Sequence, residues 1–210
     1  MGADAARRPC GTIGPVDQTS DTPSRDDDRG TPPVPPLELL ERTALEVERH
    51  VATAGWDAPP RVFALVRTAQ AVAADPALAD LLPAEVLAEA VGDPDHLTSV
   101  EQEELPESDG LEDLLARIGW PPAVAGAAVV VERVVVPPSV ELPDDPAEAL
   151  AAVAAHPDRR EVRIAVAVLR DGGTGSAVRQ RADDDDLRVV VAEDLVPGLS
   201  AALRATLVDD

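Results

Sequence analysis

Apolar residues at Leu37, Leu40, Ala44, Val47 and Val51 recur at three- and four-residue steps, which predicts an amphipathic helix with one buried stripe. The preceding prolines, Pro32 to Pro36, supply a fixed φ for its first turn, and Gly55 supplies its stop. Glu38 with Arg42, and Glu46 with His50, are spaced for i,i+4 support along it. Arg61–Arg67 then reads as a strand entered through Pro59-Pro60. Residues 69–91 read as two or three short helices punctuated by prolines and closed by Gly92. His96–Leu105 alternates poorly and is read as a strand on weak periodicity. Asp109–Ile118 reads as a short helix capped by Asp109 and stopped by Gly119.

The strongest β signal is the Val-rich run Val124–Val136, ended by Pro137-Pro138. Asp145-Pro146-Ala147-Glu148 has the acid cap and N1 proline of a helix start, leading into an Ala-rich helix to about Ala155. Glu161–Arg170 alternates cleanly, with Val162, Ile164, Val166 and Val168 on one face. Asp171-Gly172-Gly173 is a hairpin turn and Thr174–Arg181 its partner strand. A last helix carries Leu195, Leu199, Leu203 and Leu207 on one stripe, with Asp194 as its expected cap.

This order predicts an α+β fold: a mostly antiparallel sheet of four to five strands with flanking helices. A doubly wound sheet is disfavoured, since no strand leads into a Gly-rich phosphate turn. Residues 1–36, rich in Pro and Asp, read as a disordered tail, and 37–210 as a single domain. The phrase helix–Gly–Trp–Pro-Pro–strand occurs at Gly55-Trp56 and again at Gly119-Trp120. Chance in a Pro-rich chain explains it at least as well as duplication.

Composition adds three things. Lys, Asn and Tyr are absent, which points to a high-GC genome and also excludes Schiff-base chemistry. Phe63, Trp56 and Trp120 are the only large rings in an Ala/Val/Leu interior, so each is expected to be a structural anchor. The net charge of −22 argues against nucleic acid and anionic membrane as partners. The N-terminus has no apolar run resembling a signal peptide, and Ala123–Val131 is too short to span a bilayer, so the expected location is cytoplasmic.

Chemistry is sparse. His50, His96 and His156 fall in three separate elements, away from the lone Cys10, and read as structural rather than as zinc ligands. Asp183–Asp186 lacks calcium-loop spacing and reads as a solvated charge run. Gly172, Gly173 and Gly175 form no phosphate cradle, and Ser176 has no neighbouring base. No catalytic residue, cofactor or metal site is expected. The charged residues that stand out are Glu132 and Arg133, which interrupt the Val-rich strand and point to opposite faces of it. Arg163 and Arg179, on neighbouring strands, could join one of them. Such a group is either an Arg-lined pocket for a carboxylate or phosphate ligand or, the favoured reading, a cross-strand ion-pair ladder on the solvent face.

Residues 55–66 (GWDAPPRVFALV), 131–135 (VERVV), 155–159 (AHPDR) and 194–199 (DLVPGL) together resemble a family of uncharacterised actinobacterial proteins. The resemblance covers about 37–208 and implies lineage without an activity. The expected function is therefore that of a non-enzymatic binding or adaptor protein, acting through a surface on a protein partner or as a homodimer. The alternative is a small-molecule binder or enzyme with an Arg/Glu-lined pocket for an anionic ligand.

Overall fold

The computed structural model describes residues 38–208; Leu37 and the Pro/Asp-rich tail expected over 1–36 lie outside the described residues. The chain runs α1 (Leu39–Ala52), β1 (Arg61–Arg67), α2 (Thr68–Ala74), a 3-10 turn, α3 (Ala84–Gly92), β2 (Leu97–Glu101), α4 (Leu111–Ala116) and β3 (Gly126–Val135). It continues through α5 (Pro146–Ala155), β4 (Arg160–Leu169), β5 (Thr174–Gln180), two 3-10 turns, β6 (Val190–Ala192) and α6 (Pro197–Ala205). The fold is α+β: one sheet in the order β2-β1-β3-β4-β5-β6, antiparallel at every pairing. Among the described residues, six strands stand where four to five were expected. The extra one, β6, is three residues long and pairs Val190 with Val178 at the sheet edge.

Period-2 alternation along the four inner strands, β1, β3, β4 and β5, builds two cores. On one face, Phe63, Leu65, Ala128, Val130, Ala165, Ala167 and Ala177 pack under α1, which contributes Leu40, Ala44, Val47 and Val51. On the other, Val129, Val131, Val162, Ile164, Val166 and Val168 pack under Leu111, Leu114 and Leu115 of α4 and Leu203 of α6. Small side chains let α1 sit very close to the sheet. A Cβ built on Gly175 would lie 2.1 Å from the backbone carbonyl of Leu40, so only glycine fits beneath the first turn of α1. Gly175→Ala should therefore lift that turn and cost about 1–3 kcal/mol, as overpacking does. Urea unfolding would check it, and an unchanged midpoint would show that α1 rides higher than described.

The helix ends differ in detail from expectation. Glu38 and Glu41 close the start of α1, the Glu38 amide donating to Glu41 Oε2 at 3.0 Å. Arg42 pairs with Asp93 at 3.7 Å and His50 with Glu101 at 3.3 Å, so their expected i,i+4 partners are not the ones they take. α6 begins at Pro197, leaving Leu195 outside the helix and exposed. Asp194 is not its N-cap; it accepts from the Ser200 hydroxyl at 3.1 Å instead. β3 and β4 run on together as far as Val135 and Arg160, whereas the β1–β3 ladder stops at Arg61 and Val130. Pro59 and Pro60 cause this, since neither has an N–H to continue the ladder.

Candidate functional site

The register draws Glu132, Arg163 and Arg179 into one row across β3, β4 and β5. Their side chains point to the α1 face, as the run of buried residues on that face requires. α1 answers them with Glu48, which is fully buried. Arg179 grips Glu48 with two guanidinium nitrogens, Nε at 2.7 Å and Nη2 at 2.8 Å. Arg163 reaches Glu48 Oε1 at 3.5 Å and Glu132 Oε1 at 3.0 Å, and also donates to the Gly55 carbonyl. Arg163 is completely buried, and its Nε finds no hydrogen-bond partner among the described residues.

Two loops close over this row. Asp186 accepts from Arg179 at 2.6 Å and Asp184 at 3.4 Å. Asp183 pairs with Arg188 at 3.0 Å, and Asp185 accepts from the Leu187 amide. The aspartate run expected to be simply solvated is thus engaged residue by residue. On the other side, the Trp56 ring lies under the Arg163 guanidinium, 4.2 Å from its carbon, with Arg181 at 5.5 Å. Trp56 Nε1 donates to Asp184 at 3.0 Å, so one indole ties both loops together. Asp57 takes the left-handed conformation, φ 70°, which lets its amide reach Glu132 Oε2 at 2.7 Å. Its carboxylate meets Arg181 at 2.7 and 2.8 Å.

The electrostatics follow from these contacts. Hydrogen bonds from Arg181 hold the Asp57 carboxyl below the usual carboxylate range, and those from Arg179 do the same for Asp186. Glu48 raises the affinity of Arg179 for its proton still further. Every carboxylate near the two buried arginines is spoken for. The row is a cross-strand ion-pair ladder, but it is buried beneath α1 and not on the solvent face expected from sequence, because the helix-borne Glu48 covers it. Such a group orders loops and fixes register; it offers no vacant anion seat.

Arg133 stands apart. It projects to the opposite face, its Nη1 donates to the Glu132 carbonyl at 2.9 Å, and no carboxylate among the described residues pairs with it. Of the four residues singled out in advance, three meet and the fourth does not. The expected anchors are also placed: Phe63 in the α1 core, Trp56 in the loop clamp, and Trp120 against the other core, donating to Thr206 Oγ1 at 2.9 Å. The two tryptophans of the repeated phrase therefore serve opposite faces of the sheet.

Glu48 was missed. It lies four residues after Ala44 and three before Val51, within the inward arc of α1, and a carboxylate there demands a buried cation. That positional signal was available. The histidines remain apart: His50 meets Glu101, His156 accepts from the Asp158 amide, and His96 is held between Thr68 at 2.8 Å and Glu89 at 3.2 Å. Among the described residues, no group of three His, Cys, Asp or Glu side chains could hold a metal ion. No helix there is long and apolar enough to cross a membrane.

Fold and interior together define a small α+β domain whose conspicuous charges are structural fastenings. The chain belongs to the PPA1309-like protein family, whose sequence profile matches residues 40–208. No curated protein and no solved structure gives a significant match.

Proposed function

We propose that this is a non-enzymatic binding protein that engages another protein through α5. The observation that carries the reading is the mismatch between the composition of α5 and its surroundings. Its sequence, PAEALAAVAA, is apolar at every position but one, yet none of its ten residues is buried. Leu150 is 73% exposed, and Val134, Val135 and Leu142 are exposed large apolar residues in the flanking segments. A helix this short is marginal on propensity alone. It stands on a proline at N1 and on the Asp145 cap, which accepts from the Ala147 and Glu148 amides at 3.0 Å each. Apolar surface that neither fills a core nor stabilises its own helix is typical of an interaction face.

The rim of this face is acidic, with Glu141, Asp144, Asp145 and Glu148. With a chain charge of −22, two copies repel one another, so the partner has an apolar patch rimmed by Lys or Arg. An actinobacterial source belongs to the same reading, supported by the Lys-, Asn- and Tyr-free composition.

Leu150→Asp tests it. The substitution should leave stability within about 0.5 kcal/mol, as at other exposed sites. Used beside the wild-type chain to capture proteins from native lysate, it should lose a basic partner that wild type retains and that moderate salt releases. Equal capture by both would refute a role for α5. A doubled mass in light scattering that Leu150→Asp halves would show self-association instead.

A further inference from the structure

On the face away from α1, α4 and α6 diverge and leave a groove of about 270 Å³. Its walls and floor include Leu111 and Leu115 of α4, Val131 and Ile164 of the sheet, and Leu199 and Ala202 of α6. Four of these, Leu111, Leu115, Val131 and Ile164, belong to the buried core, so the groove is a fixed apolar slot rather than a gap between mobile side chains. Arg133 lines its strand-side end. Arg160 shares that face: Arg133 faces Val162 across the ladder and Val135 faces Arg160, which makes the two arginines diagonal neighbours. Arg160 bonds only to the neutral Gln180 amide, at 3.2 Å, and no carboxylate among the described residues pairs with either guanidinium.

Arg133 is thus left to offer its guanidinium to a ligand, in a chain that carries 40 acidic residues to 18 basic ones. Glu112 lines the α4 side of the groove and repels an anion placed there, which leaves the strand side for the head group.

We propose that this groove binds a monocarboxylate with a medium-length aliphatic tail, the tail lying over Val131 and Ile164 and the carboxylate on Arg133, with Arg160 adding positive charge from the same sheet face. The volume lies just under the usual range for small-molecule sites, which suits one short chain and excludes a bulky ligand. A guanidinium reads a carboxylate bidentately, which lets Arg133 give the head group its orientation. The site is separate from the buried Glu48 cluster and from α5, and stands or falls independently of the proposed protein partner.

Titration of the full chain with octanoate, followed by calorimetry and by methyl NMR shifts of Leu111, Leu115 and Leu199, is the test. Octanoate should bind and move those methyls, while octylammonium should not bind. Arg133→Ala, an exposed substitution, should weaken octanoate by about tenfold, the scale of a lost charged hydrogen bond. Arg133→Glu should abolish octanoate binding and admit octylammonium. Ala202→Leu should close the slot to both. The proposal fails if octanoate does not bind, if 1-octanol or octylammonium binds the wild type as tightly, or if Arg133→Ala leaves octanoate affinity unchanged.

Discussion

Glu48→Gln should cost about 3–5 kcal/mol of folding free energy, the usual penalty for breaking a buried ion pair from one side. Glutamine keeps the size and one acceptor of the carboxylate, so packing is nearly unchanged and the loss is electrostatic. What remains is Arg163, wholly buried, and Arg179, nearly so, facing a neutral amide where both met a charge. Arg179 can still lean on Asp184 and Asp186, and Arg163 on Glu132, which keeps the effect within that range. A typical domain has only about 5–15 kcal/mol to lose. Replacing Glu48, Arg163 and Arg179 together by Met and Leu should recover most of the deficit, because well-packed apolar groups often equal a buried ion pair. Urea denaturation of the three proteins decides it. A loss under about 1 kcal/mol in Glu48→Gln would mean that water already reaches the cluster.

Phe63→Ala should be comparably severe, about 3–5 kcal/mol, for the opposite physical reason. Phe63 is 2% exposed and is the only phenylalanine in the chain. On β1 it pairs with Ala128 of β3 and lies beneath Val47 and Val51 of α1, with the His50 ring edge-on at 6.0 Å. Alanine and valine neighbours are too short to fold into the space a lost ring leaves, so the cavity persists. Phe63→Leu, which keeps most of the volume, should cost less than about 1.5 kcal/mol. A persistent apolar cavity should also let benzene raise the melting temperature of Phe63→Ala and leave wild type unmoved. A loss below about 1 kcal/mol without benzene stabilisation would show that α1 collapses onto β1.

The sheet was legible because alternation is local. Val-rich β3, and β4 with its clean two-residue period, announce buried central strands, and Gly172 and Gly173 adopt the positive φ their hairpin requires. β6 escaped because three residues, Val190–Ala192, carry no period of their own and take their conformation from pairing with β5. The ion-pair row was half legible. The register of Glu132, Arg163 and Arg179 follows from strand periodicity once the strands are adjacent. Glu48 comes from an element more than eighty residues earlier in the chain, and its arrival depends on how α1 lies across the sheet. The exposure of α5 was not legible at all, since its apolar composition reads as core until the helix is seen to bury none of its residues fully.

Because the chain has no tyrosine, its intrinsic ultraviolet emission comes from two indoles, and the sheet separates them. Trp56 sits in the charged clamp over one face, while Trp120 leans on the end of α6 on the other. The protein thus carries a built-in reporter for each side. A Trp56→Phe form would report only on events along the α4–α6 side, and a Trp120→Phe form only on the loops that hold the arginine row. Opening of the two cores could then be timed separately in one molecule without attaching a dye.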